Sequence, residues 1–398
     1  IKDNEKEIED RFFKDLEFGT GGLRGVIGAG TNRMNLYTVR KATQGLANYI
    51  INNTDSDSNR SVCIAYDSRQ FSPEFAREAA LVLNGNGIKS YVFESLRPTP
   101  ELSFSVRELG ATAGIVVTAS HNPPEYNGYK VYWYDGGQVP YPRDEEIIEE
   151  VNKVDDFKSI KIMDEKEATE KGLYNIIGKD IDDKFIEKVK EQCLNPSLVK
   201  KYSDELTVVY TPLHGTGNIP VRRVLKELGF NKVHVVKEQE LPDSQFSTVG
   251  YPNPEDPKAF KLALKLADEV SADVVLATDP DCDRVGAAVK DSNGEYVILS
   301  GNVTGVLLTE YILSQKKLSG NLPSNGSVIS TIVSTDMTKK ITDFYNVNYH
   351  EVLTCFKYIG EKVKNIEETG SETYLFGFEG SYGCIAGTYA RDKDAVVA

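Results

Sequence analysis

The chain has 398 residues, 40% hydrophobic and 27% charged, and its 46 basic and 60 acidic side chains give a formal net charge of −14. A chain of this length is too long for a single hydrophobic core, so we expect two or more domains. The excess of acidic residues argues against a general affinity for nucleic acid or membrane surfaces. No apolar run approaches the roughly 20 residues of a membrane span, and the first ten residues, IKDNEKEIED, have no signal-peptide pattern. The five cysteines are widely separated and form no CxxC pair. Together these features predict a cytoplasmic protein.

A strand, a polar loop and an amphipathic helix follow one another three times. The stretches begin at residues 61, 205 and 326 and read SVCIAYDSRQFSPEFAREAALVLNGNG, ELTVVYTPLHGTGNIPVRRVLKELGF and GSVISTIVSTDMTKKITDFYNV. Alternation of this kind favours helices packed on largely parallel sheets, with ligands in the loops that lead from strands to helices. We therefore predict three similar mixed or parallel-sheet α/β domains, at 1–176, 177–298 and 299–398.

The stretch FGTGGLRGVIGAG (18–30) is rich in glycine. It lacks the G-K-[ST] of a Walker A motif, and Arg24 stands where a Rossmann fingerprint has its third glycine. Glycines let backbone amides approach an anion, and Arg24 would add a bidentate donor. A flexible connector is the alternative, and this loop alone does not decide between the two.

The stretch TASHNPPEYNGYK (118–130) follows AGIVV, an apolar run typical of a buried strand. Ser120 is not in a G-x-S-x-G elbow, and the two prolines after it prevent a helix from starting there, so a hydrolase triad is disfavoured. An exposed serine on such a loop suits phosphoryl transfer, with His121 orienting the hydroxyl and Lys130 supplying positive charge or moving a proton. A proline-stabilised turn with a capping serine is about equally compatible with these residues.

Asp279, Asp281 and Asp283 alternate in TDPDCDRVG (278–286), directly after the apolar run ADVVLA. On an extended backbone they would share one side and repel each other unless a cation neutralised them. Ligation by oxygen alone suits a hard ion such as Mg²⁺. An EF-hand is excluded because Arg284 occupies its glycine position. The pattern therefore favours a metal site over an acidic turn that caps a helix.

Three further loops carry polar side chains, and no one of these loops alone would indicate a functional site. YTPLHGTGNIP (210–220) fits a tight strand-to-helix turn, with His214 in a local hydrogen bond, better than it fits a phosphate site. LTCFKYIG (353–360) offers Thr354 and Lys357 after a short apolar run. GFEGSYG (377–383) places Glu379 and Ser381 on a glycine-flanked turn that could hold sugar hydroxyls.

Five stretches, in order across nearly the whole chain, resemble active-site segments of the α-D-phosphohexomutase superfamily and, within it, of the phosphoglucomutases: GTGGLRG, TASHNPPEYNGYK, DPDCDR, LTCFKYIG and GFEGSYG. The resemblance implies domains around a central cleft. It also implies interconversion of α-D-glucose 1-phosphate and glucose 6-phosphate through a phosphoserine enzyme and a bound 1,6-bisphosphate. The implied cofactors are Mg²⁺ and glucose 1,6-bisphosphate, and the implied partner is a small-molecule sugar phosphate.

The same resemblance implies a role for each matching residue. Ser120 would be the phosphoserine and would bind Mg²⁺ together with Asp279, Asp281 and Asp283. The transferring phosphoryl group would be surrounded by Arg24, His121 and Lys130, of which Arg24 and Lys130 would assist proton movement. The sugar-phosphate pocket would be lined by Arg284, Thr354, Lys357 and Lys393, and two ring hydroxyls would be gripped by Glu379 and Ser381.

The chain departs from the family pattern in two places. Cys355 replaces a glycine usual in the sugar-contacting loop, and no SGT-type loop of the family's fourth domain follows Gly383. We therefore expect the fourth domain to be absent and mutase activity to be low for the chain as it stands.

Other assignments remain open on the sequence alone. Within the family, the alternatives are a phosphopentomutase and a phosphomannomutase. A sugar-phosphate-binding protein without catalysis is disfavoured because Ser120 and the three aspartates are all present. A haloacid-type phosphatase would leave Ser120 without a role. The sequence does not decide between a monomer and a dimer.

Overall fold

The structure is a computed structural model that describes residues 4–19, 22–55 and 59–398, and only the backbone of Phe18. The chain packs into two compact units, one formed by Ile1–Arg97 and Glu101–Ile181, the other by Pro98–Pro100 and Asp182–Ala398. Three mixed sheets flanked by helices lie within the described residues, one in the first unit and two in the second. The predicted α/β class is thus confirmed. No described helix combines the length and the apolar character that crossing a bilayer requires.

The first unit contains one sheet and most of its helices precede or follow a strand directly. Its strands are β1 (Phe18–Gly19), β2 (Gly22–Val26), β3 (Ser61–Tyr66), β4 (Lys89–Phe93), β5 (Ala113–Val117), β6 (Tyr126–Trp133) and β7 (Tyr174–Ile177). Its helices are α1 (Glu5–Phe12), α2 (Leu36–Asn52), α3 (Ser72–Gly85), α4 (Thr99–Glu108), which starts in the second unit, α5 (Arg143–Asn152) and α6 (Glu165–Glu170), with a 3₁₀ turn at Phe157–Ser159.

The first sheet has the strand order β1-β2-β6-β5-β3-β4-β7. Strand β3 is parallel to β4 and β5, and β4 is parallel to β7, whereas β6, β2 and β1 add on in antiparallel fashion. Every residue of β5 is buried, as expected for a parallel strand covered on both faces. Helix α2 packs against α5 at Gly45, where a Cβ would lie 2.5 Å from the Cα of Val151.

The second unit contains the other two sheets. Its strands are β8 (Val208–Thr211), β9 (Val233–Val235), β10 (Val274–Thr278), β11 (Val285–Lys290), β12 (Tyr296–Ile298), β13 (Gly326–Thr331), β14 (Asn348–Val352), β15 (Thr373–Glu379) and β16 (Gly383–Ala386). Its helices are α7 (Lys179–Lys190), which starts in the first unit, α8 (Pro196–Tyr202), α9 (Asn218–Leu228), α10 (Lys237–Glu240), α11 (Lys261–Val270), α12 (Gly301–Leu318), α13 (Met337–Tyr345) and α14 (Phe356–Thr369), with a 3₁₀ turn at Pro257–Phe260.

The second and third sheets share the plan of the first. Their strand orders are β12-β11-β10-β8-β9 and β14-β13-β15-β16. Strands β8, β9 and β10 run parallel, as do β13, β14 and β15, and the remaining strands add on antiparallel. The three predicted strand-loop-helix stretches correspond to β3 with α3, β8 with α9 and β13 with α13, each joined by a polar loop.

The prediction that the candidate residues lie in strand-to-helix loops is wrong for three segments. Ser120 lies between antiparallel β5 and β6, the three aspartates between β10 and β11, and Glu379 and Ser381 at the turn between β15 and β16. Each hairpin starts from a strand that is parallel to a neighbour, so its loop still emerges at the carboxyl end of the parallel strands. The strands that return in these hairpins, β6, β11 and β16, directly follow their partners in the sequence and were not among the predicted elements.

Candidate functional site

The backbone of the 118–125 loop holds Ser120 in a constrained position. Its φ angle is +52°, in the left-handed region that residues other than glycine rarely occupy. Its N–H donates to Oγ1 of Thr118 at 2.8 Å, and its Oγ lies 3.3 Å from Nδ1 of His121. The residue is only 3% exposed, so the expectation of an exposed serine is wrong. The predicted pairing of the hydroxyl with the imidazole of His121 is present in the structure.

Arg24 and Lys130 lie on strands beside this loop. Strand β2 pairs with β6 so that Arg24 is opposite Gly128 and Gly22 is opposite Lys130, which places both cationic residues on one face of the sheet. Nη1 of Arg24 is 3.4 Å from the side-chain oxygen of Asn122 in the serine loop. Of the stretch GTGGLRG, residues 20 and 21 lie outside the described residues. The glycine at 22 is required by strand packing, because its Cβ would lie 1.9 Å from the carbonyl oxygen of Tyr129.

The three aspartates meet in a tight turn, which corrects the expectation of an extended backbone. Asp279 Oδ1 accepts hydrogen bonds from the N–H groups of Asp283 and Arg284, at 3.1 and 3.0 Å. The Cys282 N–H donates to the Asp279 carbonyl at 2.9 Å, and Cys282 has a φ of +53°. All three carboxylates are buried, and one oxygen from each lies within 4.8 Å of the others. The turn therefore gathers the acids that alternation on a strand was expected to align.

This acidic turn is electrostatically unfavourable without a cation. Burial, followed by the charges of Asp283 and Asp281, raises the pKa of Asp279 well above its ordinary value. A divalent cation would reverse this, since it favours the ionised form of each carboxylate near it. The donor set consists of carboxylate oxygens, which are the ligands that Mg²⁺ prefers. The residues present therefore fit a hard divalent ion.

Thr99 contacts the acidic turn within the second unit, and the sequence reasoning missed it. Its Oγ1 donates to Oδ2 of Asp281 at 2.9 Å, and its N–H donates to the Asp281 carbonyl, also at 2.9 Å. Both residues are buried. Because the two positions are 182 residues apart, no local pattern in RPTPEL could have indicated the contact.

The HGTG turn before α9 supports the acidic turn from another side. The Thr216 N–H donates to the Pro280 carbonyl at 2.9 Å, and a Cβ on Gly215 would lie 2.5 Å from the Cα of Pro280. Both ring nitrogens of His214 lie 2.8–2.9 Å from oxygens of the segment that follows α10. The interpretation of this stretch as a tight turn is thus confirmed, but the expected local hydrogen bond of His214 is wrong, since its ring partners Leu241 and Thr248 lie 27 and 34 residues further along the chain.

Lys393 joins the acidic turn to the 379–383 turn. Its Nζ lies 3.2 Å from Oε1 of Glu379 and 3.7 Å from Oδ2 of Asp283, and Nε of Arg284 lies 3.8 Å from Oδ1 of Asp283. Burial acts to raise the pKa of Glu379, but the charge of Lys393 and a hydrogen bond from Ser381 outweigh it and the pKa is lowered. The structure therefore groups three predicted pocket residues, Arg284, Ser381 and Lys393, around an ionised Glu379.

The remaining two predicted pocket residues, Thr354 and Lys357, flank the first residue of α14. Thr354 is exposed and, within the described residues, makes no hydrogen bond or ion pair. Lys357 is buried, with Nζ 5.2 Å from the centroid of the Tyr358 ring. The Phe356 ring centroid lies 5.7 Å from Nζ of Lys393, so this loop adjoins the cluster around Glu379.

Cys355 adopts a backbone conformation that favours glycine. Its φ and ψ are +104° and 130°, a region that side chains rarely adopt, and its side chain is exposed. The departure noted in the sequence therefore places a Cβ where the loop geometry suits glycine.

Another buried carboxyl, that of Asp394, lies next to the acidic turn. Its Oδ1 accepts from the Val396 N–H at 2.7 Å and its Oδ2 accepts from the Tyr389 hydroxyl at 2.5 Å. The Ala395 N–H donates to the Cys282 carbonyl at 3.2 Å. Burial raises the pKa of Asp394 to about 6.

Comparison with known proteins gives a consistent match. Three models described as phosphoglucomutase/phosphomannomutase α/β/α domains I, II and III match residues 15–158, 183–294 and 300–398. Phosphoglucomutases of Staphylococcus haemolyticus (strain JCSC1435) and Staphylococcus aureus (strain MRSA252) are each 38% identical, over 98% and 99% of this chain and 68% and 69% of theirs. A phosphoglucomutase/phosphomannomutase family protein from Burkholderia thailandensis has a similar fold, with a TM-score of 0.72 at 20% identity over 96% of this chain and 74% of that one.

Cys355→Gly should stabilise the protein. Glycine adopts a φ of +104° without strain, and the relief outweighs the extra flexibility of glycine in the unfolded chain, so the free energy of unfolding should rise by about 1 kcal/mol. Urea unfolding measures the change. Cys355→Ala is the matched control, because it keeps the Cβ and therefore the strain. Equal stabilities of the Gly and Ala variants would contradict this explanation.

Asp394→Asn should remove a pH-dependent loss of stability. Because the folded-state pKa is raised from 3.8 to about 6, the stability that Asp394 contributes is complete below pH 3.8 and is lost as the pH rises through 6. Relative to wild type, the free energy of unfolding of the variant should therefore increase by roughly 3 kcal/mol between about pH 4 and pH 7. Urea unfolding across that range tests this, with the exposed Asp268→Asn as control. A difference from wild type that does not change with pH would refute it.

Proposed function

The chain belongs to the phosphoglucomutase/phosphomannomutase family, and from this premise we propose that it interconverts α-D-glucose 1-phosphate and glucose 6-phosphate. The observation that carries the proposal is the cluster in which Lys393 contacts both the acidic turn and Glu379. A metal-binding turn and a hydroxyl-binding turn that share one cation suit a ligand with both a phosphate and sugar hydroxyls. The 38% identity to two phosphoglucomutases supports glucose as the sugar. Phosphomannomutase is the second candidate, since the family description names both activities.

We propose that Ser120 carries the transferred phosphoryl group. In one half-reaction the phosphoserine P–O bond breaks as the C6 oxygen of glucose 1-phosphate bonds to phosphorus, and the hydroxyl proton of the sugar leaves to a base. In the other half-reaction Oγ of Ser120 loses its proton and bonds to the phosphorus at C1 of the 1,6-bisphosphate as the bond from that phosphorus to the C1 oxygen breaks. The C1 oxygen takes up a proton, and glucose 6-phosphate leaves. His121, at 3.3 Å from Oγ, orients the serine, while Arg24 and Lys130 assist proton movement and balance phosphoryl charge.

We propose Mg²⁺ as the ion held by Asp279, Asp281 and Asp283, with Ser120 as a further ligand. The buried carboxylates and their raised pKa support a cation at this turn. When bound, the ion offsets negative charge on the phosphoryl oxygens during transfer. The proposed reaction needs both the serine loop and the acidic turn.

We propose that Glu379 and Ser381 bind two ring hydroxyls of the sugar, with the pocket completed by Arg284, Thr354, Lys357 and Lys393. An ionised Glu379 accepts hydrogen bonds, which suits sugar hydroxyls as donors. Glucose 1,6-bisphosphate would then be the activator, a sugar phosphate the substrate and the cytoplasm the location. The division at 1–176, 177–298 and 299–398 is proposed for the domains, because each range contains one of the three sheets, except that β7 of the first sheet extends one residue further, to Ile177.

Ser120→Ala should abolish phosphorylation of the enzyme and turnover. After incubation with glucose 1,6-bisphosphate, intact-mass measurement should find one added phosphate on wild type and none on the variant. Turnover of glucose 1-phosphate in a coupled assay should fall by about 10³-fold or more. The exposed Ser159→Ala should behave as wild type. A wild-type chain that neither gains phosphate nor turns over any sugar phosphate would overturn the proposed function.

Asp283→Asn should weaken metal binding. Loss of one carboxylate from an all-oxygen site should lower the affinity for Mn²⁺, used as a probe in place of Mg²⁺, by at least about 10-fold. Isothermal titration calorimetry on the whole chain measures this directly. Asp291→Asn, an exposed acid at the end of the adjoining strand, should leave the affinity unchanged. Equal affinities for wild type and Asp283→Asn would place the metal elsewhere.

A further inference from the structure

The side chain of Thr118 links the backbone of Ser120 to a buried carboxylate. Its Oγ1 accepts the Ser120 N–H at 2.8 Å and lies 2.6 Å from Oδ2 of Asp67. All three residues are buried. Water therefore does not compete for these groups, and each hydrogen bond has to be made within the protein.

The direction of both hydrogen bonds follows from the chemistry of the groups. A backbone N–H only donates, so Thr118 Oγ1 accepts from Ser120 and its single proton points to Asp67. Burial raises the pKa of Asp67, and the charge of Arg69 together with hydrogen bonds from Thr118, Arg69 and Ser72 offsets this only in part. Oδ1 of Asp67 lies 2.9 Å from the Arg69 N–H and 2.8 Å from the Ser72 hydroxyl, and both groups donate to it.

The guanidinium of Arg69 holds the rest of the serine loop. It donates to the carbonyl oxygens of Ser120, Asn122, Pro123 and Tyr126, the last two at 2.8 and 3.0 Å. The residue is 1% exposed, and its Nε lies 3.3 Å from Oδ2 of Asp67. The carbonyl side of the loop is thus fixed by Arg69, and the amide of Ser120 is fixed by Thr118.

We propose that Thr118 is a positioning residue for Ser120. Oriented by Asp67, its hydroxyl holds the Ser120 amide and with it the left-handed backbone, φ +52°, that determines where Oγ points. The inference rests on the proposed phosphoserine role of Ser120. Thr118 acts through Ser120 and does not contact the sugar, so it affects the rate of transfer to Oγ and leaves sugar-phosphate affinity unchanged.

Thr118→Val tests the role because it keeps the shape and removes the hydroxyl. The Ser120 amide then loses its acceptor, and the backbone that aims Oγ is no longer held. Thr118→Ser restores the hydroxyl. Thr43→Val is the matched control, since Thr43 is a buried threonine of the same unit whose hydroxyl donates to the Val39 carbonyl at 2.8 Å and lies 3.1 Å from the Tyr129 hydroxyl.

The measured quantities are the single-turnover rate of phosphate transfer from glucose 1,6-bisphosphate to the enzyme, followed by intact mass, and KM for glucose 1-phosphate. Misplacement of a reacting oxygen should slow transfer in Thr118→Val by roughly 10- to 100-fold, with KM within about 3-fold of wild type. Thr118→Ser and Thr43→Val should transfer phosphate within about 3-fold of the wild-type rate. Equal rates for Thr118→Val and Thr43→Val, or a change in KM alone, would overturn the inference.

Amide hydrogen exchange at Ser120 supplies a readout that does not depend on catalysis. The inference predicts protection comparable to that of β5 in wild type and Thr118→Ser, and loss of protection in Thr118→Val. If wild type takes up no phosphate, the proposed function fails, and exchange then decides the positioning role. If Thr118→Val does not fold, a Ser120 amide that exchanges in wild type as fast as an exposed loop overturns the inference, and a protected one supports it.

Discussion

Each of the three sheets continues from a parallel strand into an antiparallel partner, and this return of the chain determines where the polar side chains collect. The loops at β5–β6, β10–β11 and β15–β16 carry Ser120, the acidic turn and Glu379 with Ser381. Each of these loops is anchored at both ends by the hydrogen bonds of its strand pair. Ser120 and Cys282 lie within two of the loops and have φ angles of +52° and +53°, in the left-handed region.

The charge near the acidic turn differs from the net charge of the whole molecule. The chain carries a net charge of −14, yet the side chains around the acidic turn include two half-buried cations, Arg284 and Lys393. A charged group in the interior needs a partner of opposite charge, because an unpaired buried charge lowers the stability of the fold by several kcal/mol. The two cations therefore stabilise the fold of this region by pairing with its acids. The same positive charges can also attract a phosphate.

Local periodicity predicted the three strand-loop-helix stretches, since the apolar spacing of β3, α3 and their counterparts can be seen in consecutive residues. Local periodicity could not predict pairings between distant segments. The strand that returns beside β5 also pairs with β2, about a hundred positions earlier, and the bond between Thr99 and Asp281 spans 182 positions. The acidic triplet was identified from its composition, but the turn that gathers it was not. Cys355 was flagged through a family resemblance, and only its φ angle explains why glycine is usual there.

The contacts of Lys393 restrict which substitutions this sequence can accept during evolution. Its ammonium is within 4 Å of both Asp283 and Glu379, so a neutral residue at that position would leave two facing anions in a dry environment. A descendant that lost the lysine would need to lose one of the acids in the same step, or gain a cation from elsewhere. The three positions, one from each of three separated loops, are therefore expected to be inherited together.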